Sequence, residues 1–120
     1  MVVEIERHGD ICVLHFKGRF LTGTDREYLC SKADEVRQVG FDKVLADFHD
    51  VPYLDSTGIG FVVGLYTSIT KRPNGRFVLA APNGLVRSAL QVTGLTTVIP
   101  TADDMATAFD MLGSKRAAAS

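Results

Sequence analysis

Cysteine is scarce: Cys12 and Cys30 are the only two in 120 residues, and neither belongs to a CxxC pair or a Cys/His cluster. That leaves no readable zinc site and no disulfide framework, so both are expected as reduced, inert packing residues. Excess charge of either sign is also missing. Thirteen basic and fourteen acidic residues give a formal net charge of -1, which excludes the overall electrostatic footprint of a nucleic-acid binder. Nor is there a long apolar run. The longest stretch without a charge lies between Asp55 and Lys71 and contains Ser56, Thr57, three glycines and Ser68, too short and too polar to span a bilayer. Glu4, Glu6 and Arg7 interrupt the first apolar residues, unlike the core of a signal peptide. A cytoplasmic protein with neither membrane nor nucleic acid as partner is expected.

What is present is the composition of one globular domain, 46% hydrophobic and 22% charged. A chain of this length buries roughly 65% of its unfolded surface and needs no metal to fold. Val3 and Ile5 alternate with Glu4 and Glu6, His8-Gly9-Asp10 supplies a turn, and Cys12, Leu14 and Phe16 alternate with Val13, His15 and Lys17; this reads as a hairpin. Thr24-Asp25-Arg26-Glu27 has the form of a capping box, opening a helix through Leu29, Ala33 and Val36 that Gly40 stops. Lys43 to Phe48 reads as a strand. A helix follows from Asp55-Ser56 to about Lys71, then a turn at Arg72-Pro73-Asn74-Gly75 and a strand over Arg76 to Ala80.

Asn83 is placed to cap the next helix, with Val86, Ala89 and Leu90 inward and Gly94 as its stop. Thr97 to Ile99 is expected as a short edge strand. Thr101-Ala102-Asp103-Asp104 is expected to open a last helix with Met105, Ala108, Phe109 and Leu112 as its apolar stripe. The order ββαβαβαβα implies a single α/β domain over 1–113, with a mixed, mainly parallel sheet of about five strands and about four helices. Residues 114–120 are expected as a disordered tail of small residues.

The three histidines, His8, His15 and His49, show no ligand spacing and read as polar surface residues. Sequence neighbours such as His49 and Asp50 seldom point together, so a catalytic pair there is disfavoured. Gly58-Ile59-Gly60 with Gly64 is spaced GxGxxxG, which fits neither the dinucleotide fingerprint nor a P-loop. No metal and no cofactor are expected. Asp55-Ser56-Thr57-Gly58 places a hydroxyl at a helix start, in itself ordinary N-capping. The GxSxG elbow of a serine hydrolase is absent.

The helix that follows is divided unusually. At about 100° per residue, Ile59, Phe61, Val62, Val63, Leu65, Tyr66 and Ile69 cover roughly 200°, wider than packing on one sheet requires. The remaining arc holds Thr57, Gly60, Gly64, Thr67, Ser68 and Lys71, with Ser56 at its edge. A glycine inside a helix costs about 1 kcal/mol, so two on one face ask for a reason. Close approach of a partner's backbone is one; tight packing on the domain's own sheet is the other.

Val44-Leu45-Ala46-Asp47-Phe48, a loop, and then Asp55-Ser56-Thr57-Gly58-Ile59-Gly60 resemble the signature of the STAS family of bacterial anti-sigma factor antagonists, and the element order is similar from Val2 to about Leu112. The resemblance implies that Ser56 is a phosphoacceptor, Asp55 its acidic neighbour and Asp47 the strand-end aspartate. Taken with the two glycines of the helix face, the expected partner-binding surface is Asp47, Asp55, Thr57, Gly58, Gly60 and Gly64. The implied partners are an anti-sigma factor serine kinase and a PP2C-type phosphatase, and the implied role is non-enzymatic partner switching. Gly18-Arg19-Phe20-Leu21 departs from the family by placing leucine where many members carry an aspartate. The rival is a domain of the same fold that never switches and docks within a larger signalling or lipid-transport assembly.

Overall fold

The computed structural model describes residues 2–19 and 26–113. Strands β1 (Val2–His8) and β2 (Ile11–Lys17) pair antiparallel across a turn in which Gly9 adopts a φ of 65°, the left-handed region that glycine enters without steric cost. Next come α1 (Arg26–Val39), β3 (Lys43–Asp50), α2 (Ser56–Thr70), β4 (Arg76–Ala80), α3 (Gly84–Val92), β5 (Thr101–Ala102) and α4 (Met105–Leu112). The single α/β domain and the order ββαβαβαβα are as read from the sequence. Thr24 and Asp25 of the expected capping box, Leu21, and the 114–120 tail lie outside the described residues.

The sheet order is β1-β2-β3-β4-β5, with every pair after the first parallel. Right-handed crossovers that always step the same way place their helices on one face. Accordingly Leu29 and Val36 of α1, Val62, Leu65 and Ile69 of α2, and Val86 and Leu90 of α3 share one core with Cys12, Leu14, Phe16, Ala46 and Phe48. The alternate residues of the same strands, Ile11, Val13, Leu45, Val78 and Ala80, pack under Ala108 and Leu112 of α4 on the other face. Strand order never reverses, so the sheet has none of the crevice where doubly wound folds bind nucleotides.

The structure corrects three local expectations. Thr97 is not the start of a strand: Gly94, at φ 75°, leads into a 3-10 turn over Leu95–Thr97, closed by the Val98 amide on the Leu95 carbonyl. Ile99 is buried behind it. The edge strand is instead Thr101–Ala102, beside Leu79 and Ala80. The last helix therefore starts later, with Asp104 as its cap accepting the Thr107 amide at 2.8 Å. Third, only Cys12 is buried, where burial pushes its thiol up to about 11; Cys30 is exposed on α1.

Candidate functional site

The turn between β3 and α2 is built from its cap outward. Asp55 has extended backbone, φ -101° and ψ -173°, and its Oδ1 accepts the Gly58 amide at 3.0 Å while its carbonyl accepts the Ile59 amide at 2.9 Å. Asp55 is thus the N-cap, and Ser56 is the first helical residue, exposed. The division of labour has a measurable consequence. Asp55→Ala should lose about 1 kcal/mol of stability, whereas Ser56→Ala should stay within about 0.5 kcal/mol of the wild type; equal losses in urea unfolding would contradict this assignment.

Along α2 the buried residues are Gly58, Val62, Leu65 and Ile69, one helical face at spacings of three and four. Gly58, expected among partner contacts, therefore faces inward, with its amide committed to the cap. Thr57 is half-buried. Gly60 and Gly64 are exposed, and a Cβ added at either meets no atom within 4 Å. Packing on the domain's own sheet is thereby removed as their explanation. Val63, assigned by the helical wheel to the apolar arc, is 37% exposed between them. The exposed face of α2 carries Ser56, Gly60, Val63, Gly64 and Thr67.

Asp47 is brought to the same end of the sheet, near the close of the central strand β3, but not to the surface: it is 2% exposed. Its side chain alternates with Ala46 and Phe48, so it points to the α4 side, opposite α2. Here the histidines, which the sequence leaves unconnected, form a chain. His15 lies beside Asp47 in the register. Its Nδ1 contacts Asp47 Oδ2 at 2.7 Å and its Nε2 contacts Glu6 Oε1 at 2.7 Å. His49 places Nδ1 2.8 Å from Asp47 Oδ1 and Nε2 3.2 Å from Asp50 Oδ2, and its backbone amide donates to Asp47 Oδ1 at 3.0 Å. His49 and Asp50 do point together, contrary to expectation. A groove of about 520 Å³ lies over them, lined by Glu4, Glu6, His15, Lys17, His49 and Asp50.

Two carboxylates on its two ring nitrogens call for a His15 imidazolium that donates to both. Burial works against that charge, but the hydrogen bonds to Glu6 and Asp47 outweigh it and raise the His15 pKa above its ordinary 6.5. Burial likewise works against charged Asp47, yet the His49 amide and the His49 and His15 rings hold its carboxyl below the usual 3.8. The raised His15 pKa contributes stability that is fully present below pH 6.5 and is lost as pH rises through the folded-state value. Asp47 contributes above its ordinary pKa and loses its part as pH falls through the lowered one. His15→Gln should flatten the decline above pH 6.5, and urea midpoints across the pH range test it; an unchanged slope would mean His15 is not the titrating group.

The STAS domain family model matches residues 2–108. The chain belongs to the STAS domain family. A Thermotoga neapolitana protein named as a candidate anti-sigma factor antagonist is 30% identical over 77 residues, 64% of this chain and 67% of that protein. A crystal structure of a candidate anti-sigma factor antagonist from Thermotoga maritima superposes with a TM-score of 0.83 at 23% identity, covering 92% of this chain and 93% of that one. The Bacillus cell fate determinant SpoIIAA in its phosphorylated form gives 0.68 at 20% identity, covering 92% and 99%. Among the described residues of this STAS domain, no helix is long and apolar enough to cross a membrane, and no group of three or more His, Cys, Asp or Glu is arranged to hold a metal ion.

Proposed function

We propose that this STAS domain is a non-enzymatic anti-sigma factor antagonist that binds an anti-sigma factor serine kinase when Ser56 is unmodified and is released when Ser56 is phosphorylated. A PP2C-type phosphatase restores the binding form. The observation that carries the reading is the placement of an exposed serine at the first position of α2, one turn before a glycine with open space above it. The names of the relatives support the same role.

The physics is that of a charge added at a helix start. Phosphate brings about -1.5 to -2 charges to a place where free amides and the macrodipole favour an anion. This domain therefore keeps its fold, and the repulsion falls on the partner. Gly60 and Gly64 let the partner's backbone approach, Thr67 and half-buried Thr57 border the contact, and Asp47 acts from below by fixing the end of β3. The switch requires no cofactor in this chain. Incubation with the cognate kinase and ATP, followed by mass spectrometry, should find one phosphate, on Ser56, and none in Ser56→Ala. Phosphate on Thr57 would move the switch by one residue. No incorporation, with binding retained, would favour the fixed docking module.

A further inference from the structure

The Ser56 turn is fastened from outside its own segment. Asn83 caps α3 through Oδ1, which accepts the Val86 amide at 2.9 Å. Its Nδ2 donates to the carbonyls of Val51 at 3.0 Å and Pro52 at 3.1 Å, the two residues that open the loop to Asp55. Val51 itself is fully buried and its amide is tied back to the Phe48 carbonyl. Asp and Ser cap helices as well as Asn does, but once the acceptor is used only Asn has two N–H groups left to give. The chain reaches this position through Ala81, whose φ of 56° is left-handed and unfavourable for a residue with a Cβ. Such a conformation persists where surrounding contacts over-determine it.

We propose that Asn83 is a positioning residue for the Asp55–Ser56 turn, its amide locking the loop carbonyls to the start of α3 and so fixing where the Ser56 hydroxyl is presented. The clamp rests on the distances; its consequence for phosphoryl transfer rests on the reading of Ser56 given above.

The test uses the full chain with Asn83→Asp, which keeps the cap and replaces the donors with an acceptor, and Asn83→Ser, which keeps the cap and removes the double donation without adding charge. The Gly58 amide, bonded to Asp55, is the reporter in hydrogen exchange. Its protection and that of the Val51 amide, which donates to the Phe48 carbonyl, should fall about tenfold or more in both variants, while residues 87–92 of α3 stay within about threefold. With the kinase used above, kcat for Ser56 phosphorylation should fall about tenfold at nearly constant KM, since the docking face is intact and the hydroxyl is misplaced. Unchanged exchange at Gly58 and Val51 would overturn the proposal, as would a loss of protection spread equally over α3, the mark of a cap alone. Wild-type kcat in both variants would overturn the positioning role and leave the Ser56 switch standing. Altered exchange in the variants with no phosphate accepted by the wild type would leave the clamp standing and overturn the switch.

Discussion

Phosphate on Ser56 is expected to weaken binding of the anti-sigma factor by roughly 100-fold or more, and Ser56→Asp by roughly tenfold, while the melting temperature holds. A unit charge about 4 Å from a partner carboxylate is opposed by about 4 kcal/mol at an effective dielectric of 20, and exposure of Ser56 to solvent and salt reduces this to about 1 to 3 kcal/mol. The fold is spared for a reason local to α2. Its first turn carries no acidic residue, and Asp55 retains the cap, so a carboxylate at position 56 meets the favourable end of the helix dipole. Titration calorimetry with wild type, phosphorylated protein and Ser56→Asp checks the order. Equal affinities for all three would remove charge as the mechanism, and a fall in melting temperature with weakened binding would assign the effect to unfolding instead.

Gly60→Leu should separate stability from binding more sharply still. Open space around a Cβ at this position means that any side chain enters solvent in the free domain, and replacing glycine within a helix gains up to about 1 kcal/mol in propensity. The melting temperature should therefore rise by about 4 °C. In the complex the same side chain stands where the partner's backbone comes close, and overpacking of about 1 to 3 kcal/mol corresponds to a loss of roughly 5- to 150-fold in affinity. Gly60→Ala should show the same split in smaller measure. A stabilised Gly60→Leu with undiminished affinity would take the glycine face of α2 out of the interface.

Periodicity was enough to read most of the fold, because β2 alternates its two faces residue by residue and α2, α3 and α4 each carry a stripe with a cap before it. It failed where the element is too short to have a period. Two residues make β5, and Thr97-Val98-Ile99 looks more like a strand than Thr101-Ala102 does; the 3-10 turn after Gly94 decides the matter by spending those residues on a corner. The glycines show a second limit. Sequence places Gly75 in a turn and Gly60 in a helix but says nothing of what surrounds either: a Cβ at Gly75 would stand 1.7 Å from the Ile69 carbonyl oxygen, and one at Gly60 would touch nothing. Only the open space at Gly60 leaves its missing side chain without a structural reason inside the domain. The histidine chain was hidden for a third reason. Glu6, His15 and Asp47 meet through the register of three strands, and no spacing along the chain encodes a register; the available signal was that His15, Lys17, Asp47 and His49 occupy one alternation of two neighbouring strands.

Chain order and spatial order coincide in this sheet, and that bears on how the protein is made. Each strand can pair with the one made just before it, so no later strand has to be inserted between two that have already paired. The helices over the first face arrive in step with their strands. The second face must wait, because Ile11, Val13, Leu45 and Val78 are covered by α4, the last described element of the chain. At about 5 to 20 residues per second, that apolar strip is bare for on the order of ten seconds in every round of synthesis. The nascent chain is therefore most open to aggregation until α4 has been made, and a truncation ahead of Met105 would make that transient state permanent.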